Sequence, residues 1–323
     1  MIDRDLLCKV VRRANLAPSV HNVQPTRWRI RNDRLELAAE LAVGLSVGDE
    51  GMQDAGLSCG AAVEATLLAL GEEGISAKAD DHWDRDDRST WPGHRMAAVL
   101  SLQPGTADPL AVQLDRRFTW RAAFGDEAGS TLLGSDDAHM FSEPEDKAWI
   151  AELNDKSSLS IMTSGPFRRE LLCWMRLSPG HPRYEFAGLS REALQMPTAI
   201  ARAAGWALGP LWPVLHVLKL TKALTAEAKA TRSASVIAAF HVPQKDSQVA
   251  AGRRYLRLCL RASEQGYAGW PMAALTDDPV AKAAVSARMG LVPDRRLVQV
   301  LRFGPPAGPP PPRARRPIEE LLG

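Results

Sequence analysis

A chain of 323 residues is long enough for about two domains of ordinary size or one large one, which excludes a small module stapled by disulfides or nucleated by a metal. Hydrophobic residues make up 45% and charged residues 24%, close to globular averages, so wholesale disorder is excluded as well. The 40 Lys and Arg against 38 Asp and Glu leave a net charge of only +2, too little to imply nucleic acid or another polyanionic partner, and any basic site must be local.

Taken in chain order, residues 4–14 carry Leu6, Leu7, Val10, Val11 and Ala14 at helical spacing, and the helix should stop before Pro18. Trp28-Arg29-Ile30 and Leu35-Glu36-Leu37 alternate with period two around Asn32-Asp33, the pattern of two strands joined by a short turn. From Asp54 to Leu70 the spacing is helical again, closed by Gly71 and Gly74. The acidic run from Asp80 to Asp87 mixes charges and reads as a solvated loop, and Met96 to Leu102 reads as a buried strand. A polar stretch at 125–146 marks the expected boundary between two halves.

Beyond it, residues 145–154 and 167–177 read as helices on either side of a strand at Leu159-Ser160-Ile161-Met162. Val236 to Phe240 reads as a strand, 249–263 as an amphipathic helix opened by Ala251-Gly252, and Leu297 to Phe303 as a strong strand. The first half runs in the same order, with Ala55-Gly56, an amphipathic helix, a glycine-marked turn and the strand at 96–102. The pattern predicts an α+β class with a coarse duplication. Residues 305–312 are Pro-Pro-Ala-Gly-Pro-Pro-Pro-Pro and should be extended. With Arg313, Arg315 and Arg316 behind them, they suit a disordered tail, an SH3-type ligand, or an arm carrying cations to a fixed anion.

Cys8, Cys59, Cys173 and Cys259 are scattered, with neither CxxC nor zinc-site Cys/His spacing, and read as buried free thiols in a reducing compartment. Met1 to Asp5 is charged, without the apolar core of a signal peptide, so a cytoplasmic location is expected. The longest uncharged run, between Arg202 and Lys219, is broken by Pro210 and Pro213 and is short for a membrane span.

Gly56-Leu57-Ser58-Cys59-Gly60 matches the hydrolase nucleophile elbow in form, but no strand precedes it, so its small residues read as close helix packing. The seven histidines form no HExxH, which gives no support for a catalytic zinc. Neither a dinucleotide-binding glycine motif nor a Walker lysine loop is present. Two segments carry chemistry. Ala17-Pro18-Ser19-Val20-His21-Asn22-Val23-Gln24-Pro25 packs a hydroxyl, an imidazole and two amides between prolines, suited to fixed donors facing a polar ring or phosphate, or equally to a well-bonded turn. In Arg116-Arg117-Phe118-Thr119-Trp120-Arg121, cations at 117 and 121 bracket a hydroxyl at 119, either a phosphate seat or a solvated basic helix end.

The first of these segments resembles the signature of the nitroreductase superfamily, specifically its Acg-like FMN-binding branch. Arg117-x-Thr119-x-Arg121 is similar to the family's phosphate motif, and Ala251-Gly252 with Gly266-Tyr267-Ala268-Gly269-Trp270-Pro271-Met272 to its helix and flavin-facing turn. Leu301-Arg302-Phe303-Gly304 and the segment from Arg315 to Leu322 are similar to its C-terminal strand and arm. The family pattern has Trp after Gln-Pro, whereas here Thr26 follows Pro25 and the Trp is at 28.

The resemblance implies a nitroreductase-like α+β fold in which two degenerate halves form an intramolecular pseudo-dimer: residues 1–110, residues 111–304 with an insertion at about 180–235, and a Pro-rich arm at 305–323. The serine-amide loop lies in the first half and the arginine motif in the second, so it implies one composite FMN site. By residue-by-residue carry-over, Arg117, Thr119, Arg121 and one or more of Arg313, Arg315 and Arg316 hold the phosphate. Ser19, Asn22, His21 and Gln24 face the flavin, the backbone of Pro271, Met272, Ala273 and Ala274 lies along the ring, and Lys245 is a candidate for charge near N1. No metal and no catalytic side chain are implied, because flavin N5 carries the chemistry.

The implied activity is hydride transfer from NAD(P)H and delivery of electrons to a nitroaromatic, quinone or enone, in a monomeric pseudo-dimer or weak homo-oligomer. The alternative is an FMN-sequestering protein with little turnover. There, the apolar insertion around Gly205-Trp206-Ala207-Leu208-Gly209-Pro210-Leu211-Trp212-Pro213 is a lid; a pocket wall, a partner surface or a membrane-touching helix are its other readings.

Overall fold

A computed structural model describes residues 3–125 and 134–323; most of the polar stretch expected to divide the chain is covered, but residues 126–133 lie outside the described residues. Helix α1 (Arg4–Ala14) is capped by Asp3, whose carboxylate accepts from the Leu6 N–H at 2.8 Å. Strands β1 (Thr26–Arg31) and β2 (Arg34–Glu40) form the expected hairpin. Its turn residues Asn32 and Asp33 take φ of 50° and 57°, the left-handed pair that matches strand twist. Then come α2 (Gln53–Glu72), β3 (Ile75–Asp81), β4 (His94–Pro104) and the short α3 (Gln113–Arg116).

The remainder holds β5 (Ala138–Phe141), α4 (Pro144–Met162), α5 (Gly165–Trp174), β6 (Met175–Arg176), β7 (Leu189–Ser190), α6 (Thr198–Leu208), α7 (Trp212–Val217), α8 (Thr221–Thr225) and α9 (Ala228–Arg232). It closes with β8 (Val236–Pro243), α10 (Gln248–Glu264), β9 (Ala268–Pro271), α11 (Ala274–Asp277), α12 (Pro279–Arg288) and β10 (Arg295–Gly304).

The class is α+β with antiparallel sheets. One sheet has the order β1-β2-β4-β3 and the other β5-β8-β10-β9. Setting aside the two-residue pair β6-β7, both sheets place their first, second, fourth and third strands side by side, with a long helix, α2 or α10, before the third strand.

These two helices pack on each other at their glycines. A Cβ on Gly60 would stand 2.8 Å from the Gly252 Cα and overlap the Val249 carbonyl oxygen, so only hydrogen fits there. Contact on several sides explains why α2 is buried almost all round instead of along one stripe. Buried Glu64 of α2 fastens the crossing, accepting from Arg253 at 2.9 Å and Arg257 at 2.8 Å.

Four expectations need correction. Of the four cysteines expected to be buried, Cys59 and Cys259 are, but Cys8 is half-buried and Cys173 is exposed on α5. Leu159 to Met162 is the last turn of α4, not a strand. The acidic run is not all loop, since Asp80 and Asp81 end β3 and Trp83 is buried. Helix α10 opens at Gln248, where the Ser247 hydroxyl accepts from the Ala250 N–H at 2.9 Å, and Ala251-Gly252 serves instead as its contact with α2. Gly56 to Gly60 lies inside α2, in keeping with the close-packing reading. The Pro-rich segment is an arm: the Trp28 N–H donates to the Leu321 carbonyl and the Gly323 N–H to the Trp28 carbonyl, both at 2.9 Å, so the chain end lies along β1.

Candidate functional site

A cavity of about 480 Å³ is lined by residues remote in sequence, among them Ser19, His21, Asp54 and Ser58 from the first part of the chain and Arg117, Thr119, Arg121, Tyr255 and Asp277 from the rest. Of the residues expected at a flavin, Ser19, His21, Arg117, Thr119, Arg121, Pro271, Met272, Ala273 and Ala274 line it. Asn22, Gln24, Lys245, Arg313, Arg315 and Arg316 do not.

The 19–25 loop is wound tightly, with His21, Asn22 and Gln24 at φ of 43°, 55° and 54°, a conformation that non-glycine residues hold only where the surroundings impose it. The Ser19 hydroxyl accepts from the Gln24 N–H at 3.0 Å and the Ser58 hydroxyl from the Val20 N–H at 3.2 Å. The amides point away from the cavity. Asn22 Nδ2 donates to the Ala314 carbonyl at 3.0 Å and to the Gly188 carbonyl at 3.2 Å. Gln24 Nε2 donates to the Phe186 carbonyl at 2.8 Å, while its Oε1 accepts from Asn15 Nδ2 and the Arg316 N–H, both at 2.9 Å. Both side chains fasten the loop to the insertion and the arm. His21 stays at the cavity, where burial first and Arg121 second push its pKa down to about 4, against Glu170; its imidazole is neutral at pH 7.

The cations form an unbalanced group. Arg117 Nη2 donates to the Leu16 carbonyl at 2.9 Å. Arg315 donates to Asn22 Oδ1 at 2.9 Å and to the carbonyls of Ala314 at 2.8 Å and Leu16 at 3.3 Å. Arg121 donates to the Ala193 carbonyl, and its backbone N–H to Gln195 Oε1, both at 2.9 Å. None of the three makes an ion pair among the described residues, and the Nε atoms of Arg117 and Arg315 are buried without a partner.

Burial lowers the pKa of all three; that of Arg315 falls to about 9, with Arg117 and Arg313 as further causes, and that of Arg121 to about 10, against Glu227. A guanidinium holds its proton far above neutral pH, so the penalty appears as demand for a counter-anion. Arg313 is exposed and donates to the Arg117 carbonyl at 2.9 Å. Arg316 is already satisfied, by Glu320 at 2.8 Å and the Val23 carbonyl at 3.2 Å. Lys245 is exposed in the segment between β8 and α10, away from the cavity.

The Pro271–Ala274 wall runs from the end of β9 to the start of α11, and the Met272 N–H is spent on the Val300 carbonyl at 2.7 Å, which removes it from the donors available to a ligand. Cavity-lining Trp270 carries the fully buried Arg302 at 3.6 Å from its ring, and Arg302 bonds Thr231 Oγ1 at 2.6 Å.

Sequence reasoning missed the acids. Asp54 is pushed up to about 8 by burial, then by Asp277 and Asp49; Asp277 rises to about 6 by burial and Asp49, with Lys282 opposing. Glu227 also rises to about 6, through burial with Arg302 opposing. Asp54 is in the first turn of α2, which Asp49 caps by accepting from the Asp54 and Ala55 N–H groups at 3.0 and 2.8 Å. The available signals were an aspartate ahead of Ala55-Gly56 and the Asp277-Asp278-Pro279 helix start. Helices α5, α6 and α8 close an apolar wall with Phe167, Leu171, Leu208 and Leu224, which begins earlier in the chain than the expected lid. Glu170 of α5 ties this wall to the first sheet's side by accepting from the Gly48 N–H at 2.6 Å and the Val47 N–H at 3.0 Å.

No family model matches the chain. It is similar to "Putative NAD(P)H nitroreductase MT3217" of Mycobacterium tuberculosis (strain CDC 1551 / Oshkosh), at 28% identity over 183 residues, 53% of this chain and 52% of the relative. "Putative NAD(P)H nitroreductase Rv3131" of strain ATCC 25618 / H37Rv matches over the same extent. The matched part spans about half the length of these curated relatives. Among solved structures, FMN-dependent NfnB from Mycobacterium smegmatis in complex with NADPH overlays with a TM-score of 0.31 at 19% identity, covering 61% of this chain and 89% of that one. FMN and NADPH-dependent NfnB from sphigopyxis sp. strain HMH overlays with 0.32 at 15% identity, covering 67% and 98%. Overlays at these scores do not by themselves establish a shared fold. The curated similarity is thus of nitroreductase type and concerns part of the chain.

Proposed function

We propose that this chain is an FMN-dependent oxidoreductase of nitroreductase type, fed by NAD(P)H and delivering electrons to a nitroaromatic, quinone or enone. The observation that carries the reading is the pair Arg117 and Arg121 at the cavity, with Arg315 sharing the Leu16 carbonyl with Arg117; none of the three makes an ion pair among the described residues, and the Nε atoms of Arg117 and Arg315 lack a partner. Three desolvated guanidinium groups with one nearby carboxylate, Glu227 acting on Arg121, leave positive charge in excess and suit a phosphate monoester, which supplies two charges and forked acceptors. Thr119, held in place by the bridge between its strip and Gly269, adds a hydroxyl donor. When bound, FMN supplies a hydride-accepting centre that hands electrons on to the acceptor.

The protein's own part is position and protons. Ser19 and neutral His21 offer uncharged polar contacts, the Pro271–Ala274 wall offers a backbone surface, and the apolar wall excludes water. Asp54, protonated at neutral pH by its raised pKa, is a proton source at the cavity for reduction of a carbonyl or nitro group. The repeated strand order and the glycine-to-glycine contact of α2 with α10 support a reading of residues 1–110 and 111–304 as two halves of a duplicated unit with one composite site.

The second reading, sequestration of the flavin, would have the apolar residues of α5, α6 and α8 at the cavity cover the ring. Loading purified protein with FMN and desalting it tests what the two readings share. Flavin absorbance retained by wild type and lost by Arg117→Ala with Arg121→Ala supports a flavin site, and a protein that stays colourless overturns both.

A further inference from the structure

The outer side of the α6–α8 segment has a composition unlike the rest of the chain. Residues 193–226 contain no Asp or Glu, where 38 acids in 323 residues would place about four, yet they contain Arg202, Lys219 and Lys222. Large apolar side chains stand outward among these cations: Val217 is 80% exposed, Trp206 64%, Leu218 60% and Leu220 51%. The Leu211 N–H donates to the Trp206 carbonyl at 3.0 Å, closing the turn between α6 and α7, and Lys219 sits between Leu218 and Leu220. Leaving such side chains in water forgoes the free energy of burying them, so a patch of this kind asks for a partner.

We propose that this face docks the protein on an anionic lipid surface, with Trp206 and the side chains of Val217, Leu218 and Leu220 at headgroup level and the three cations against lipid phosphates. No helix among the described residues is long and apolar enough to cross a membrane, so the contact is peripheral. Indole rings suit the bilayer interface, and long cationic side chains can bury their stems while their charges reach the phosphates. The absence of acids removes repulsion from anionic headgroups. A second copy of the chain fits less well, because a two-fold contact through this face would bring its own cations together without acids between them. The inward side of the same segment, Leu194, Met196, Leu208 and Leu224, lines the cavity, so docking would cover the outside of the cavity wall.

Co-sedimentation of the full chain with phosphatidylcholine vesicles, and with vesicles of phosphatidylcholine mixed with phosphatidylglycerol, tests the proposal with and without added FMN, since docking needs no flavin. Binding to the mixed vesicles alone, weakened by salt, is expected. Lys219→Ala with Lys222→Ala should lower the partition coefficient about 30-fold, roughly fivefold per cation; neither lysine side chain makes a hydrogen bond or ion pair shown in the structure, so the fold should survive. Trp206→Ser with Val217→Ser should also abolish binding while leaving the circular dichroism unchanged. Equal binding to both vesicle types, or to neither, overturns the proposal. So does lipid-independent self-association abolished by Trp206→Ser with Val217→Ser, which would make the face an interface between copies.

Discussion

Replacing Arg315 by Met tests the anion seat through the arm that delivers it. The guanidinium now donates to Asn22 Oδ1, the Ala314 carbonyl and the Leu16 carbonyl, while its Nε is buried without a partner. In the absence of ligand, Arg315→Met removes these hydrogen bonds but also relieves a desolvated charge close to Arg117. These effects oppose each other, so unliganded stability should change little. The proposed phosphate seat includes Arg315, and on that proposal a charge-assisted contact to the phosphate is lost with FMN bound, worth about 1.5–3 kcal/mol, or roughly 10- to 150-fold in Kd.

The assay is FMN titration followed by flavin fluorescence, paired with thermal unfolding with and without FMN. Ligand stabilisation at fixed FMN should shrink by the same free energy. The control is Arg316→Met, whose guanidinium is already committed to Glu320 and the Val23 carbonyl; it should leave Kd within roughly a factor of two, as expected for an already paired group. Unchanged affinity in Arg315→Met, or an equal loss in the control, would refute the placement of the anion.

Other sites give independent outcomes. Gly60→Ala should cost about 1–3 kcal/mol or more through overpacking against α10, read as a lower urea midpoint; an unchanged midpoint contradicts the tight crossing. Asp54 has a pKa raised to about 8, so the unfolded chain gives up this proton first and stability falls as pH rises from about 4 to about 8, by at most roughly 1.4 kcal/mol per pH unit. Asp54→Asn should flatten that slope in pH-dependent denaturation, and a slope identical to wild type would assign it to other groups. Phe167→Ala with Leu208→Ala opens the apolar wall and should change the rate at which nicotinamide reduces the flavin in stopped flow; equal rates would mean that the wall does not gate access.

The fold was legible where periodicity ran unbroken between chain-breaking residues. The hairpin showed through Asn32-Asp33, and α2, α10 and β10 through long apolar patterns. Leu159 to Met162 looked like a strand by local alternation, but no glycine or proline separates it from the helix before it. The helix just before that turn is anchored by a contact remote in sequence, the Ser157 hydroxyl donating to Asp278 Oδ2 at 2.8 Å. Strand β3 escaped notice because Ala77 and Ala79 offer little apolar signal between Lys78 and Asp80.

At the site, the residue types in the 17–25 and 117–121 segments marked the cavity, but not which way each side chain turns. Asn22 and Gln24 are claimed by carbonyls of Gly188, Ala314 and Phe186 far along the chain, and no local pattern records such partners. Asp54 and Asp277 become an interacting pair only through folding, which is why neither stood out among 38 acids.

The most direct test of the account is anaerobic addition of NADPH, and separately NADH, to the FMN-loaded chain, with the flavin absorbance followed before and after a nitroaromatic or quinone is supplied. The oxidoreductase account predicts bleaching by at least one nicotinamide and recovery of the absorbance with the acceptor. A flavin that stays oxidised with both nicotinamides contradicts it and leaves sequestration as the better description.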